Sequence, residues 1–203
     1  MSTSTLLKRT GFLAALLGLA ILTAPVHADT PVREVSLSSG VTPAVATFDV
    51  DRELRALSSA DIQQSFPRLQ LKYVEVLGPS TREFNCIGYS MGLNRWVNPL
   101  TGDEGNPLDP MDRLYGQLGY VRESSMNLAV EPGKQKVVLY ASLNADATIH
   151  RVTHAARQEA DGTWTSKLGG MALIRHVTPD SLRGPTYGTP IAIYVRTAPL
   201  AGL

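Results

Sequence analysis

The chain has 203 residues, a formal net charge of +1 and 18% charged residues. This length is enough for one domain with a hydrophobic core. The near-neutral charge, without a basic cluster, argues against a nucleic-acid or anionic-lipid partner. The chain has one cysteine, Cys86, which excludes an internal disulfide.

The N-terminus has the pattern of a secretory signal peptide. Lys8 and Arg9 precede a short apolar run over residues 11–22, and small residues follow where a signal peptidase cuts. The alternative is an uncleaved membrane anchor, but about 12 apolar residues are fewer than the roughly 20 that a spanning helix needs. We therefore predict a signal peptide over residues 1–28, export to the periplasm or beyond, and no membrane attachment after cleavage.

The elements predicted next lie between the cleavage site and the cysteine. Residues 29–58 open with a polar, turn-rich stretch and are predicted as an N-terminal arm. A single domain is predicted over residues 59–203. A serine cap and a proline stop delimit a short helix over residues 59–66, and the alternation over residues 69–77 indicates a strand or extended segment.

Two more helices and an antiparallel sheet are predicted in the rest of the chain. Asn85 caps a compact helical piece that runs to about Gly92. Asp109 and Pro110 open another helix, whose apolar side chains share one face. Four strands and a helical turn follow, at residues 136–141, 151–158, 163–168 and 190–196, with the turn at residues 178–183. Because helices precede strands and no parallel crossover is indicated, the predicted fold class is α+β.

The lone cysteine is predicted to lie at a helix start. There, free backbone N–H groups and the positive end of the helix dipole favour an anion. A thiolate at such a position has a lowered pKa and is a usable nucleophile. Gly88 and Gly92 leave one side of this helix without side chains, so another segment is expected to pack close. The alternative is that Cys86 is buried and inert in a small core helix, the commoner fate of a single free cysteine.

A nucleophilic cysteine needs a base, and His154 is the best-placed histidine. It lies inside a predicted strand, and because side chains alternate, His154, Ala156 and Gln158 are expected on one face. His150 is expected to be exposed near a hairpin turn, and His176 is a candidate supporting group in a polar context. The alternative for His154 is a surface or partly satisfied strand histidine.

The segment over residues 73–92 resembles the start of the catalytic half of NlpC-type cell-wall peptidases, a papain-like group. It has Tyr73, a Gly-Pro-Ser loop and a Phe-Asn-Cys-Ile-Gly segment in the same order. The resemblance implies a papain-like α+β fold in which a cysteine-bearing helix packs on an antiparallel sheet. It also implies Cys86 as the nucleophile, His154 as the base and Tyr73 as a helper near the oxyanion.

Two positions depart from the peptidase pattern. Asn85 stands where those enzymes usually have aspartate. The third catalytic position, typically a histidine, falls near Ser166 or Lys167. Serine orients an imidazole weakly and lysine repels its charged form, although a cysteine nucleophile needs less help from a third group than serine does.

A longer stretch of the chain, from about residue 66 to residue 196, resembles a bacterial family of uncharacterised domains. The shared motifs are an FP-x-L opening, an NCI segment followed by Trp96, an LGY step, a VVLYA strand, THAARQ, DG-x-WTSKLG and a late YG. This resemblance implies a shared fold without naming a reaction. It also draws attention to one cluster of residues, namely Cys86, His154, Arg157, Ser166 and Lys167.

Other kinds of site have little support. One cysteine and three histidines after cleavage do not form a spaced metal site, and no phosphate-binding glycine loop occurs. We therefore expect no metal and no cofactor. Trp96 and Trp164 are candidates to line a sugar or peptide groove, and the alternative for each is a packing role.

Two functions remain open. The first is an exported papain-like cysteine hydrolase that cleaves amide bonds in peptide or peptidoglycan, with Cys86, His154 and Ser166 as catalytic residues. The second is a catalytically inactive papain-like binding module of the cell envelope. In both, the candidate binding residues are Tyr73, Asn85, Trp96, Arg157, Trp164 and Lys167.

Overall fold

The computed structural model describes residues 48–98 and 106–197. The helices in this part of the chain are α1 (Val50–Leu57), α2 (Ala60–Ser65), α3 (Cys86–Ser90) and α4 (Asp109–Gly116), with single 3₁₀ turns at Leu71–Tyr73 and Pro179–Leu182. The strands are β1 (Glu75–Gly78), β2 (Val121–Arg122), β3 (Lys134–Leu143), β4 (Ile149–Gln158), β5 (Trp164–Lys167), β6 (Leu173–His176) and β7 (Thr189–Thr197). None of the described helices has the length and apolar character needed to cross a bilayer.

Within the described residues, seven strands form one antiparallel sheet in the order β1-β6-β5-β4-β3-β7-β2. The two long strands β3 and β4 lie side by side at its centre, and β7 returns to pair with the other edge of β3. The prediction of an α+β fold with an antiparallel sheet is confirmed. Strands β4 and β5, which pair with each other, carry His154, Arg157, Ser166 and Lys167 of the predicted site.

The predicted helices form close to their expected positions. Asn85 caps α3 by accepting a hydrogen bond from the N–H of Gly88 at 3.0 Å. Helix α4 has a proline in its first turn, and its side chains Met111 and Tyr115 are fully buried. These helices were predictable because capping residues and apolar spacing act over a few residues.

Several elements differ from the sequence expectations. Strand β2 was not predicted, and a 3₁₀ turn at Leu71–Tyr73 occupies part of the strand or extended segment predicted over residues 69–77. Helix α1 lies inside the segment predicted as an N-terminal arm, and it belongs to the folded domain because Leu57 is fully buried in the core. His176 ends strand β6, which was not predicted. The predicted signal peptide, residues 1–28, lies outside the described residues.

The sheet has a hydrophobic cluster on each face. One cluster lies under α3 and α4 and includes Ile87 and Leu139, and we call this side the α3 face. The other cluster lies under α1 and includes Leu57 and Val138, and we call this side the α1 face. Neighbouring residues of one strand therefore enter different clusters, as alternation requires.

Candidate functional site

Cys86 begins helix α3 on the α3 face, where its side chain is 6% exposed. The thiol lies against the backbone of Ala155 in strand β4. Burial raises the pKa of the Cys86 thiol to about 11, and the opposing effects of backbone hydrogen bonds and of Lys167 are smaller. The helix start therefore does not produce a thiolate at neutral pH, because removing the sulfur from water outweighs the helix-end field.

Asn85 holds two pieces of backbone together beside the cysteine. Its Oδ1 accepts from the N–H of Gly88 at 3.0 Å and from the N–H of Val97 at 3.1 Å, while its Nδ2 donates to the carbonyl of Val97 at 2.7 Å. The amide supplies both the acceptor and the donor that these bonds need, whereas an ionised carboxylate could only accept.

Gly88 allows the same loop to approach α3. A methyl group at this position would overlap the carbonyl oxygen of Arg95. The expected close packing against the helix is therefore present at Gly88. Gly92 has a different role, because its φ of +76° ends the helix in the left-handed region.

His154 lies on the α1 face of the sheet. It pairs with Tyr140 in the β3–β4 ladder and stacks on Tyr187 with ring centroids 3.8 Å apart and planes within 7°. The imidazole is fully buried, and neither ring nitrogen has a hydrogen-bond partner. Burial holds the pKa of His154 well below its ordinary value, and the nearby His176 lowers it further.

The predicted pairing of Cys86 with His154 is therefore not formed. Cys86 packs with Ala155 in the cluster on the α3 face, while His154 packs with Tyr140 and Tyr187 on the α1 face. The sheet itself lies between the sulfur and the imidazole. A base cannot take a proton from a nucleophile across a sheet, since proton transfer needs hydrogen-bond reach.

Ser166, predicted as the third catalytic residue, bonds to a different histidine. Its Oγ lies 2.9 Å from Nε2 of His176, and Nδ1 of His176 lies 2.9 Å from the carbonyl of Thr178. Because a carbonyl only accepts, Nδ1 carries the proton and Nε2 accepts from the Ser166 hydroxyl. Burial lowers the pKa of His176 to about 4, so the ring is neutral at neutral pH.

Lys167 is a fully buried side chain that joins two loops. Its ammonium donates to the carbonyls of Thr81 and Gly169, each at 2.8 Å, and to the carbonyl of Met171. All three of its N–H groups are therefore used. Burial lowers the pKa of Lys167 to about 8. The role of this residue is to hold the backbone beside α3.

Arg157 lies on the α3 face at the far end of helix α3. Its Nη2 donates to the hydroxyl of Tyr89 at 3.1 Å and to the carboxylate of Glu159 at 3.2 Å. The guanidinium also lies 4.7 Å from the centroid of the Tyr89 ring. The five residues expected as one cluster are thus divided, with Cys86, Arg157 and Lys167 on one face and His154 and Ser166 on the other.

The three aromatic candidates have different positions. Trp164 is only 2% exposed and packs in the core, which is the alternative that the sequence left open. Trp96 is 47% exposed and lines an open cleft of about 610 Å³ with Arg82, Gly170 and Met171.

Tyr73, expected near an oxyanion, is 56% exposed and lines a separate cleft of about 410 Å³. This cleft lies between residues 68–74 and residues 176–181, and its lining does not include Cys86. His176 forms part of its wall. Sequence reasoning missed this histidine's position because the short strand β6 gave no clear alternation.

No group of three or more metal-binding side chains occurs within residues 48–98 and 106–197.

The comparisons with known proteins identify one family. Residues 75–195 match the DUF7689 domain, described as a domain of unknown function. This confirms the expectation of an uncharacterised domain family, and nothing in the match links the chain to NlpC-type peptidases or to a bacterial origin. No curated protein and no solved structure matches the chain significantly. Because the match covers more than half of the sequence, the chain belongs to the DUF7689 family.

Proposed function

We propose that this protein is an exported binding module of the cell envelope, without hydrolase activity, that holds peptidoglycan in a surface cleft. The observation that carries the proposal is the separation of Cys86 and His154 on opposite faces of the sheet. Cysteine-dependent amide cleavage needs a thiolate within hydrogen-bond reach of its base. Here the thiol is buried and protonated at neutral pH, and the imidazole is enclosed elsewhere.

The finer parts of the proposal have separate support. A helix that begins at Cys86 and packs on β4 supports a papain-like arrangement in which the cysteine has a packing role. The basic start and short apolar run within residues 1–28 support export. Two open clefts, each with a half-exposed aromatic ring, support binding as the activity.

Thiol reactivity tests the absence of catalysis. The native protein should react with iodoacetamide at neutral pH no faster than it unfolds, because Cys86 is enclosed. The same protein unfolded in guanidinium should react quickly. A His154→Phe variant keeps a ring stacked on Tyr187 and should react at the native rate. Rapid labelling of the native protein that this variant slows would contradict the proposal.

Cosedimentation with purified peptidoglycan tests the binding activity. The wild type and a Cys86→Ala variant should sediment with it equally, and neither should release soluble fragments. Release of fragments by the wild type alone would establish a hydrolase. Failure of both proteins to sediment with peptidoglycan would refute the binding function.

A further inference from the structure

We infer that the cleft beside Tyr73 binds a neutral carbohydrate chain, an inference that rests on the proposed binding function. Its volume of about 410 Å³ is within the roughly 300–1,000 Å³ typical of ligand pockets. The cleft forms where β1 and β6 stop pairing, beyond the Glu75–Arg175 pair at the end of their ladder. It is therefore a feature of the sheet edge and is independent of the cysteine helix.

Tyr73 supplies a flat apolar surface for such a ligand. Its side chain lies in the single 3₁₀ turn before β1 and is 56% exposed. The ammonium of Lys72 lies over the ring, 4.7 Å from its centroid, so one face is covered. More than half of the surface of Tyr73 remains exposed, and we assign this surface to contact with the apolar C–H face of a sugar ring. Aromatic rings with a polar tip suit ligands that are apolar on one side and hydrated on the other.

The polar groups of the cleft match the hydroxyl groups of a sugar. Arg68 and Asp180 form an ion pair that joins the two walls, so the charges on the lining cancel. The other polar side chains that face the cleft include the neutral groups of Gln70, Thr178 and Ser181. A hydroxyl both donates and accepts, so it bonds equally well to guanidinium, carboxylate, amide and hydroxyl.

The charged side chains around the cleft contact other groups of the protein. Lys72 lies on the Tyr73 ring, and Arg183 donates from Nε to Thr189 at 2.9 Å while also pairing with Asp180 at 3.4 Å. Arg183 and Arg68 share the carboxylate of Asp180. An anion that bound to either guanidinium would compete with Asp180, whereas a neutral ligand would not.

The wall of the cleft is held in place before any ligand arrives. His176 is fixed through both ring nitrogens, by Ser166 on one side and by the Thr178 carbonyl on the other. The ring therefore cannot rotate to meet a ligand. A preformed wall reduces the ordering cost of binding.

Titration with tri-N-acetylchitotriose, a neutral oligosaccharide, tests the inference by isothermal calorimetry. Tyr73→Ala should weaken binding by at least about tenfold, equivalent to about 1.4 kcal/mol, while Tyr73→Phe should retain it because the ring remains. Trp96→Ala is the matched control, since this half-exposed ring lines the other cleft, and it should leave the affinity unchanged. Affinity should also be the same at low and high salt.

Three results would overturn the inference. The first is that Trp96→Ala loses binding while Tyr73→Ala binds fully. The second is that binding of the oligosaccharide disappears at high salt. The third is that the wild-type protein does not bind the oligosaccharide at all. If the oligosaccharide does not bind but whole peptidoglycan still sediments with the protein, the binding function stands and the carbohydrate assignment fails. If rapid native labelling of Cys86 is found instead, the proposed function itself fails, whichever sugar result is obtained.

Discussion

Acid should destabilise this domain through two buried histidines on the α1 face. His154 and His176 are both almost completely enclosed, and a charge on one disfavours a charge on the other. The groups that contact the two rings are neutral, namely Tyr140, Tyr187, the Ser166 hydroxyl and the Thr178 carbonyl. Protonation would therefore place positive charge in the core without a carboxylate among these contacts to compensate it.

The size of the effect follows from the pKa of His176. Burial lowers that pKa from 6.5 to about 4 in the folded state. Between these values the unfolded chain binds the proton and the folded chain does not, so stability falls as pH falls. At about 1.4 kcal/mol per pH unit, His176 alone should cost about 3 kcal/mol by about pH 4. His154, whose pKa is also lowered, adds to the loss.

A loss of this size is measurable, because whole domains are stable by only about 5–15 kcal/mol. The assay is urea unfolding between about pH 8 and pH 4, followed by tryptophan fluorescence, in which Trp164 reports directly because it pairs with His176 across β5 and β6. His176→Gln should flatten the pH dependence. His154→Phe should flatten it too and should not reduce stability at neutral pH, since it removes two unpaired nitrogens. His150→Gln, at an exposed position, should leave the dependence unchanged.

Equal free energies of unfolding at neutral and acid pH would refute this reasoning. So would a His176→Gln variant with the full wild-type slope, because the acid loss would then come from another group. A strong effect of His150→Gln would refute it as well.

Three more predictions concern the backbone around α3. Asn85→Asp should lower the free energy of unfolding in urea by about 1–3 kcal/mol, because a carboxylate would face a carbonyl that now accepts a hydrogen bond; a change below about 0.5 kcal/mol would contradict this. Gly88→Ala should lower the free energy of unfolding by about 1–3 kcal/mol, because the new methyl group would overlap the backbone of Arg95. Gly116→Ala is the control, since its methyl group would meet open space. Equal shifts of the melting temperature in the two variants would argue against the close approach of the Arg95 backbone to α3. Lys167→Met should cost more than about 2 kcal/mol by leaving three carbonyls unpaired. Lys72 is exposed, so Lys72→Met should have little effect on the free energy of unfolding. Similar losses in both variants would show that the bonds from Lys167 to the three carbonyls do not stabilise the fold.

The sequence was informative where structure depends on neighbouring residues. The cap at Asn85 and the proline at the start of α4 located those helices within a residue or two. The long strands β3, β4 and β7 were also predictable, because β3 and β7 contain apolar runs and turn residues delimit β4. Strand β6, which has only four residues, was missed. Helix α1 was missed although it is amphipathic and capped by Asp49, because it lies directly after a polar, turn-rich stretch.

The candidate site could not be predicted in this way. The prediction that His154 and Ala156 share a face is confirmed, but alternation along one strand does not say which face the cysteine helix covers. The pairing of β3 with β4 shifts between Tyr140 and Ala141, so one extra residue of β4, Thr153, lies between Val152 and His154. Val152 therefore enters the cluster of the α3 face with Cys86, while His154 turns to the α1 face.

The sequence by itself determined the local elements, the α+β class and the family motifs, because caps, periodicity and turn residues act over short distances. Only the tertiary structure decided whether a cysteine and a histidine far apart in the chain meet. A shift of one residue in the pairing register of a strand places each of its side chains on the opposite face of the sheet, and packing on both faces determines that register. In this protein the sulfur contacts Ala155, and the imidazole belongs to the adjacent residue on the opposite face of the sheet. The cysteine and histidine that resemble a catalytic pair along the chain therefore lie in two separate parts of the core.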